Sequence, residues 1–308
     1  MIKNKEGIEI KALAEQSNFE IIKVYNTKWV SNKILQAGAQ KPGLALTGFF
    51  QYLDKNQLQI FGKGEIGYLK QLSPTEQEKC LKNFFAKKVP GVVVSENQEI
   101  DEFIISTAAK FKTPILVSAL NASLLIPRII SFLYRDFSKK IKINGVLMDI
   151  MGLGTLITGQ SGIGKSEVAL ELINNGQLLV SDDLVEFYLN SNDEPVGRSL
   201  ERIKQWMEVR GLGIINIVDL FGVGALLEEK KLELVINLEK WNPKKKYDRL
   251  GEGNLHFSLL GKEIPMFNLP VASGRNVSIL VEVAVKYFIS RRDGSPSFIE
   301  NIYGKEQK

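Results

Sequence analysis

The sequence predicts a two-domain α/β protein, and three observations support this fold class. The chain has 308 residues, which is enough for two domains of ordinary size. Short apolar strand patterns alternate with helical patterns up to about residue 135, which is typical of an α/β domain with some parallel strand pairing. A polar stretch at 136–142 then precedes a strand-rich second half. We therefore predict an N-terminal α/β domain for regulation or assembly at 1–135 and a catalytic domain at 136–308.

Each element of the first domain follows from a local pattern. Apolar runs indicate strands at 20–25, 58–61, 91–95 and 114–118, and helical periodicity indicates helices at 76–85, 100–112 and 122–137. Pro127 either starts the last helix or kinks it, because proline lacks a backbone N–H. Cys80 is the one cysteine in the sequence, so it cannot form an internal disulfide. Its position in an amphipathic helix favours a small core residue over a nucleophile.

The second domain is predicted to combine several strands with two helices. Apolar runs indicate strands at 146–150, 155–158, 178–181, 232–238 and 255–260. Helical periodicity indicates a helix at 166–173 and a closing helix at 277–290. Asn175 and Gly176 form a typical C-terminal cap for the first of these helices.

Composition narrows the class of protein. A hydrophobic content of 44% and a charged content of 24% indicate a soluble globular protein without an apolar run long enough to span a membrane. The N-terminal residues do not resemble a signal peptide, and with a single cysteine we expect a cytoplasmic protein. The net charge of +5 does not require a nucleic-acid partner. The run 244–246 lacks interleaved aromatic residues and is interpreted as solvated surface.

The segment Gly159–Ser166 carries the most specific chemical signal. It fits the phosphate-binding loop pattern G-x-x-x-x-G-K-[ST], in which glycines let the backbone aim N–H groups at phosphate oxygens. Lys165 can contact the β and γ phosphates, and Ser166 offers a hydroxyl to Mg²⁺. A strand before the segment and a helix after it favour this function over a glycine-rich turn with a chance lysine. The residues predicted to bind the nucleotide are Gly159, Gln160, Ser161, Gly162, Ile163, Gly164, Lys165 and Ser166.

Two carboxylates, Asp182 and Asp183, follow the apolar strand that begins one short helix after the loop. Such a pair suits a nucleotide site, since one carboxylate can hold the metal while the other takes a proton from an attacking hydroxyl. A turn is the alternative, because Asp is a common turn residue. Many phosphate-loop NTPases place their acidic strand much later in the chain, so this order predicts a different sheet topology.

Three further segments, 207–216, 247–251 and 273–276, place charged side chains beside glycines. Segment 207–216 joins Glu208 and Arg210 to glycines, and a structural strand-turn explains it equally well. Arg249 and Arg275 are planar donors suited to phosphate, although each taken alone is better explained as a surface arginine.

Taken in order, these segments resemble one family. The Gly-Val-Leu-x-Asp strand, the loop, Asp-Asp, E-V-R-G-L-G-I-I-N, Y-D-R-L-G and P-V-x-x-G-R-N strongly resemble bacterial HPr kinase/phosphorylase, and 41–50 extends the resemblance to the first domain. It implies an enzyme that phosphorylates a serine of the phosphocarrier protein HPr with ATP. It also implies the removal of that phosphate by inorganic phosphate, which yields pyrophosphate, and a role in carbon catabolite regulation.

The resemblance further implies a homohexamer and a catalytic domain related to nucleotide-dependent phosphoenolpyruvate carboxykinase. By motif, Asp183 would be the base in the kinase direction and the acid in reverse, and Asp182 would support it or the metal. Ser166 and Glu208 would bind Mg²⁺, and Arg249 would be a catalytic arginine. ATP is the implied phosphoryl donor, and pyrophosphate could replace it.

Asn144 departs from the family, which usually has His at this position before the Gly-Val-Leu strand. Imidazole carries a proton near neutral pH, whereas an amide cannot, and His256 lies in another segment. We hypothesise that Asn144 keeps phosphate recognition but weakens proton relay, and therefore weakens the dephosphorylation that the family ties to 270–275. A neutral variation is the alternative.

Two other classes of function are compatible with the loop. The first is a nucleotide-sensing regulator whose transferase chemistry has decayed, and Asn144 keeps this hypothesis open. The second is a small-molecule kinase or a plain ATPase. Transfer of phosphate to a protein serine distinguishes the predicted enzyme from both.

Overall fold

The computed structural model divides into two compact units, Met1–Ser138 and Lys139–Lys308. The sequence-based boundary after residue 135 lies close to this division. The structure describes residues 3–200, 205–245, 255–272, 274 and 276–292, with side chains from residue 6 onward. Among them, no helix combines the length and apolar character that a bilayer crossing needs.

The first unit combines short strands with six helices among its described residues. Its strands are β1 (Lys3–Glu9), β2 (Ile21–Tyr25), β3 (Lys33–Gln36), β4 (Ala39–Gln40), β5 (Leu58–Phe61), β6 (Val92–Val94) and β7 (Ile115–Ser118). Its helices are α1 (Ile10–Ala14), α2 (Gly43–Leu46), α3 (Lys63–Gln71), α4 (Pro74–Phe85), α5 (Glu102–Lys110) and α6 (Ala122–Phe137), with 3₁₀ turns at Ser17–Phe19 and Thr27–Trp29.

The main sheet of this unit has the order β2-β7-β6-β5-β4, and β1 pairs separately with β3. Strands β4 to β7 pair in parallel and β2 pairs antiparallel with β7, which confirms the predicted α/β pattern. Val93 faces one buried cluster while Val92 and Val94 face another. Strand β6 is therefore buried on both faces, which explains its unbroken apolar run.

Two local predictions in this unit have clear outcomes. Helix α6 begins at Ala122, where the Asn121 side chain caps it by accepting the Leu124 N–H, so Pro127 lies inside the helix and does not start it.

Cys80 is half-buried in α4, and its Sγ donates to the Leu46 carbonyl at 2.9 Å. Burial raises the pKa of Cys80 to about 11. The thiol is therefore protonated at neutral pH, in agreement with a packing role rather than a nucleophilic one.

The second unit contains the predicted strands and both predicted helices. Its strands are β8 (Ile141–Asn144), β9 (Val146–Ile150), β10 (Leu153–Gly159), β11 (Leu178–Ser181), β12 (Leu184–Leu189), β13 (Pro195–Ser199), β14 (Trp206–Val209), β15 (Gly213–Asn216), β16 (Glu229–Lys231), β17 (Leu234–Lys240), β18 (His256–Leu259) and β19 (Lys262–Val271). Its helices are α7 (Lys165–Asn174), α8 (Ile217–Phe221) and α9 (Val277–Arg292), with a 3₁₀ turn at Val223–Ala225.

A six-stranded mixed sheet of order β11-β9-β10-β17-β19-β18 forms the centre of this unit. One of its faces packs against α7 and α9, where Ile157, Leu172 and Val281 share a core. Its other face contributes Leu156 to a core with Phe187 of β12. Strand β12 belongs to a second, antiparallel sheet of order β16-β13-β12-β8.

Strand direction brings the two main motifs to the same edge of the central sheet. Strands β10, β17 and β19 run parallel, and β11 runs in the same direction because β9 is antiparallel to both β10 and β11. The loop after β10 and the acidic pair after β11 therefore leave the sheet at one edge. The acidic pair therefore lies near the loop although only one helix separates β10 from β11 in the chain, and β9 lies between these two strands in the sheet.

Candidate active site

The glycine-rich loop, Gly159–Ser166, joins the end of β10 to the start of α7. Three of its glycines have positive φ, with values of 143° at Gly159, 75° at Gly162 and 103° at Gly164. A Cβ at Gly159 would lie 2.5 Å from the Leu238 carbonyl oxygen, so only glycine lets the loop pass this close to β17. The required residue type follows from both backbone conformation and space.

The start of α7 presents N–H groups that no side chain caps, because Gly164 occupies the N-cap. Lys165 extends back over the loop, and its Nζ donates to the carbonyl oxygens of Gly159 at 3.1 Å and Gln160 at 3.3 Å. An ammonium group and open helix N–H groups thus surround the same space. This arrangement suits an anionic oxygen ligand.

Ser166 and Asp182 form a direct contact across the sheet edge. The Ser166 hydroxyl donates to the two carboxylate oxygens of Asp182, with Oγ at 3.0 Å and 3.2 Å. Burial raises the pKa of the Asp182 carboxyl, and the hydrogen bonds from Ser166 and from the backbone N–H groups of Asp183 and Glu208 partly offset this effect. The contact ties the loop helix to the acidic strand.

Asp183 differs from its neighbour in exposure and backbone conformation. It is exposed, and its φ of 66° is in the left-handed region that Asp tolerates better than most residues. The Asp183 carbonyl accepts the Gly145 N–H at 2.9 Å, and the pairing of β11 with β9 shifts register just before the acidic pair. This irregularity separates a buried carboxylate from one that is open to a ligand.

Strands β14 and β15 form a hairpin whose turn lies against the loop. Met207 and Val209 are buried in the core, so Glu208 between them points outward. A Cβ at Gly162 would lie 3.0 Å from Nη2 of Arg210, which places the arginine beside the loop. The segment 207–216 is thus a structural strand-turn that also delivers two charged side chains to the site.

These parts line one cavity of about 450 Å³. Its lining residues are Ser161, Gly162, Gly164, Lys165, Ser166, Glu167, Asp182, Asp183, Glu208, Val209, Arg210, Gly211 and Gly213. Of the loop residues predicted to bind nucleotide, Gly159, Gln160 and Ile163 do not line it. The first two accept from Lys165, and Ile163 packs against the core.

The remaining predicted site residues lie outside this cavity or outside the described residues. Asn144 ends β8, where it pairs with Leu184, the residue after the acidic pair. His256 lies on β18, at the opposite side of the central sheet from β11, and does not line the cavity. It therefore does not take the place of Asn144. Arg249 and Arg275 lie outside the described residues.

Two charged residues of the cavity, Glu167 and Arg210, have no role predicted from the sequence. Glu167 was missed, although its position directly after Ser166 at a helix start was a usable signal. Arg210 was noticed only as part of a segment, because its approach to Gly162 depends on the folding of the hairpin onto the loop.

The buried carboxyl of Asp182 makes a testable contribution to stability. A pKa raised by burial means that the folded state favours the protonated form, so this stability is present below the unfolded pKa and is lost as pH rises through the folded pKa. We expect Asp182→Asn to raise the midpoint of thermal unfolding at about pH 7.5, by about 2–4 °C for each kcal/mol recovered. Near pH 4, close to the ordinary Asp pKa of about 3.9, the gain should vanish.

The matched control for this measurement is Asp219→Asn, which changes an exposed carboxyl on α8. It should leave the midpoint unchanged at both pH values, because exposed sites contribute little. An equal loss of stability by Asp182→Asn at both pH values would contradict a burial cost.

Comparison with known proteins agrees with the motif order. Residues 8–133 match the family described as HPr Serine kinase N terminus, and residues 135–302 match the HPr Serine kinase C-terminal domain. The HPr kinase/phosphorylase of Listeria innocua is 39% identical over 283 residues, which cover 92% of this chain and 90% of the Listeria protein. That of Halalkalibacterium halodurans is 37% identical over 276 residues, which cover 90% of this chain and 89% of the relative.

A solved structure, the Hpr(Ser) kinase/phosphatase from Coxiella burnetii, aligns with a TM-score of 0.46 and 27% identity over 55% of this chain and 99% of that chain. Both family domains and relatives that match about nine-tenths of the sequence lead to one assignment. The chain belongs to the HPr serine kinase family.

Proposed function

We propose that this protein is a bifunctional HPr kinase/phosphorylase. It phosphorylates a serine of HPr with ATP, and it removes that phosphate with inorganic phosphate to release pyrophosphate. The observation that carries the proposal is a single cavity, in a member of this family, that gathers the glycine-rich loop, the acidic pair and Glu208. Relatives that share most of the chain carry the name HPr kinase/phosphorylase.

In the kinase direction, the loop and Lys165 hold the nucleotide phosphates while Asp183 faces the incoming serine. The exposed Asp183 carboxylate accepts the hydroxyl proton as the serine oxygen attacks the γ-phosphorus and the bond to the β-phosphate oxygen breaks. Lys165 and the N–H groups at the start of α7 stabilise the charge on the transferring phosphoryl group. Positioning and electrostatics account for the catalysis, and no covalent enzyme intermediate is needed.

The cavity fits Mg²⁺, because its donors are oxygen atoms of a hydroxyl and carboxylates. Ser166 and Glu208 are the proposed ligands, with Asp182 next to them. A cation here would favour the ionised form of the buried Asp182 carboxyl. When bound, Mg²⁺ would neutralise phosphate charge and orient the phosphate oxygens.

In the reverse direction, the same residues serve a different phosphate acceptor. Inorganic phosphate occupies the anion site of the loop and its oxygen attacks the phosphorus of phosphoserine-HPr. The bond from phosphorus to the serine oxygen breaks, Asp183 returns the proton to that oxygen, and pyrophosphate leaves. Pyrophosphate is therefore chemically competent as an alternative donor in the forward direction.

The direct test is to mix the purified protein with HPr, Mg²⁺ and ATP and to follow phosphoserine-HPr before and after the addition of inorganic phosphate. Formation followed by phosphate-dependent loss, with pyrophosphate released, supports both activities. Formation without loss identifies a kinase with a weakened reverse reaction. ATP binding without transfer would instead favour the nucleotide-sensing regulator.

The backbone of Asn144 lies next to that of Asp183, the proposed proton acceptor, so a role of Asn144 in the reaction can be tested. Its strand, β8, pairs with Leu184, and the next residue, Gly145, donates to the Asp183 carbonyl. An imidazole at this position would sit near the group that exchanges the serine proton. We therefore propose that the amide binds phosphate but relays no proton.

We expect Asn144→His to raise the rate of phosphate-dependent dephosphorylation by roughly hundredfold, the lower end of the range for general acid–base catalysis. The gain should follow the deprotonation of an imidazole, with an apparent pKa near 6.5. Rates of HPr phosphorylation and dephosphorylation between about pH 5.5 and 8.5 measure it. The control is Asn192→His, an exposed position outside the cavity. Unchanged rates in both directions would leave Asn144 a neutral variation.

The proposed homohexamer has support from exposed apolar side chains within 212–223. Leu212, Ile214, Leu220 and Val223, on and beside the β14–β15 hairpin and α8, are 69%, 71%, 61% and 76% exposed. Leu212 and Leu220 line one cavity of about 400 Å³, and contiguous apolar surface marks interaction sites in soluble proteins. The molar mass in solution tests whether a second copy covers them.

A further inference from the structure

A groove in the first unit collects five lysine side chains from four separate stretches of the chain. The groove encloses about 590 Å³, within the range of small-molecule sites. No carboxylate is found among its described lining residues. The lysines are Lys33, Lys55, Lys88, Lys110 and Lys112.

Sheet topology explains why these lysines meet. Strands β5, β6 and β7 are parallel neighbours, so the loops that enter them lie at one edge of the sheet. Lys55 precedes β5, Lys88 precedes β6, and Lys112 precedes β7. The loop before β5 is also hydrogen-bonded to β3, because the Asn56 carbonyl accepts the Leu35 N–H at 3.1 Å. Lys33, at the start of β3, joins the group in this way.

The walls of the groove are tied to one another by a single side chain. Asn32 donates through Nδ2 to the carbonyl oxygens of Pro90 at 3.1 Å and Lys112 at 2.8 Å. These two bonds connect the β3 side of the groove to the loops before β6 and β7. The spacing of the lysine backbones is therefore fixed by the fold.

Within the described part of the chain none of the five ammonium groups forms an ion pair or donates a hydrogen bond, although the charge of Lys110 helps to lower the pKa of the Glu78 carboxyl on α4. The carbonyls at the ends of α4 and α5 do not need them as caps. Phe85 accepts the Lys88 N–H at 2.9 Å, and Ala109 accepts the Lys112 N–H at 3.0 Å. Backbone groups satisfy the helix ends, so the lysine charges remain available to a ligand.

Two of the lysines occupy positions where another residue would suit the backbone better. Lys88 and Lys112 have φ values of 58° and 59°, at helix ends where glycine is the usual residue. A side chain there is strained in the left-handed conformation. Backbone geometry alone favours glycine, so the choice of lysine at both positions calls for another reason.

We propose that this lysine groove binds a ligand that presents two or more linked phosphate groups. A single phosphate carries too little charge for five ammonium groups, whereas linked phosphates bring three or more negative charges within a short span. Leu35 and Phe111 add apolar surface beside the lysines. Nucleoside polyphosphates and inorganic polyphosphate share this chemistry. The site is independent of the proposed function, because every residue that forms it lies in the first unit.

Lysine acetylation of the full-length protein, read by mass spectrometry, tests the groove locally and separately from the glycine-rich loop. The probes are ATP and inorganic tripolyphosphate without Mg²⁺. At ten times the dissociation constant about one site in eleven is free, so acetylation of the five groove lysines should fall by about tenfold. Lys70 and Lys79, which are exposed on α3 and α4 outside the groove, should react as before.

The double variant Lys88→Gly/Lys112→Gly separates binding from folding. Glycine suits both backbone positions, so the thermal midpoint should stay the same or rise. Affinity for the probes at the groove should fall by about tenfold or more, and salt should weaken what remains. Lys70→Gln/Lys79→Gln removes the same net charge and should keep the affinity.

Stronger protection by ATP than by tripolyphosphate identifies a nucleoside polyphosphate as the ligand. Equal protection by the two probes identifies a chain of phosphates. Either result supports the site. Absence of protection at about 1 mM by both probes overturns the proposal, since this corresponds to only weak binding. Equal protection of Lys70 and Lys79 would mean non-specific attraction and would overturn it too. Unchanged affinity in the glycine variant would do the same.

Discussion

Asp183→Asn is expected to abolish the phosphorylation of HPr and its phosphate-dependent reversal together, with each rate falling by about 10²- to 10⁴-fold. The amide of Asn cannot accept the serine proton or return it near neutral pH. Both reactions make or break the same bond between the serine oxygen and phosphorus, so both need this proton transfer. Initial rates of phosphoserine-HPr formation and loss at saturating substrate measure the effect.

The geometry around Asp183 predicts that this loss occurs without a loss of nucleotide binding. Asp183 is exposed, whereas the contact that ties the loop to the acidic strand is made by Asp182 with Ser166. Calorimetry should therefore give a nucleotide affinity within about twofold of the wild type, which is a difference in binding free energy well below 1 kcal/mol. Weak nucleotide binding in the variant would mean that Asp183 holds the nucleotide rather than the proton.

The chain offers a matched control for the backbone of Asp183. Asp193 is also an exposed Asp in the left-handed region, with φ of 62° compared with 66° at Asp183, and it lies outside the cavity. Asp193→Asn makes the same chemical change in the same conformation and should keep both activities. Transfer to HPr that survives in Asp183→Asn would refute the assignment of the base.

The elements that the sequence predicts well are those whose signal is local. Strands at 146–150 and 178–181 agree with the structure at both ends, because a short apolar run bounded by turn residues defines a buried strand. Strand β17 begins two residues later than predicted, because the buried Leu232 extends the apolar pattern but precedes the paired segment. Strand order, in contrast, depends on pairing between distant segments, and no local pattern encodes that β9 lies between β10 and β11.

The same division applies to the candidate site. The motif identifies Gly159–Ser166 because glycine and lysine at fixed spacing have a local chemical purpose. The hydrogen bond from Ser166 to Asp182 and the approach of Arg210 to Gly162 need the sheet edge and the hairpin in place. A sequence can name these residues, but their contacts follow only from tertiary packing.

Charge provides the clearest example of what the sequence hides. Residues 244–246 form the visible basic run, and Lys244 and Lys245 are exposed as predicted, while Lys246 lies outside the described residues. The larger concentration of positive charge is in the lysine groove, whose members are scattered from residue 33 to residue 112. Charge runs detect neighbours in sequence, whereas parallel strands gather residues that are far apart.

Lys165→Ala is expected to lower both reactions of HPr by about 10²- to 10³-fold, the usual cost of removing one preorganised donor to developing charge. In the structure Nζ bridges the carbonyl oxygens of Gly159 and Gln160, so the ammonium group is already held over the loop. It would contact nucleotide phosphates in the forward reaction and inorganic phosphate in reverse. Unlike Asp183→Asn, this variant should also bind nucleotide more weakly, because the same charge holds the ground state.

Folding of the variant can be separated from its chemistry. Of the two carbonyls that lose the lysine, that of Gln160 is exposed and that of Gly159 is partly buried. Water can replace the exposed bond, so the unfolding midpoint should change little. Lys286→Ala, on the exposed face of α9, removes the same charge far from the loop in sequence and should keep both rates. Because ATP and inorganic phosphate compete for one anion site in this mechanism, the two activities of Lys165→Ala should fall in parallel. Loss of only one activity would mean that the two reactions use separate phosphate sites, and unaltered turnover would exclude the loop from catalysis.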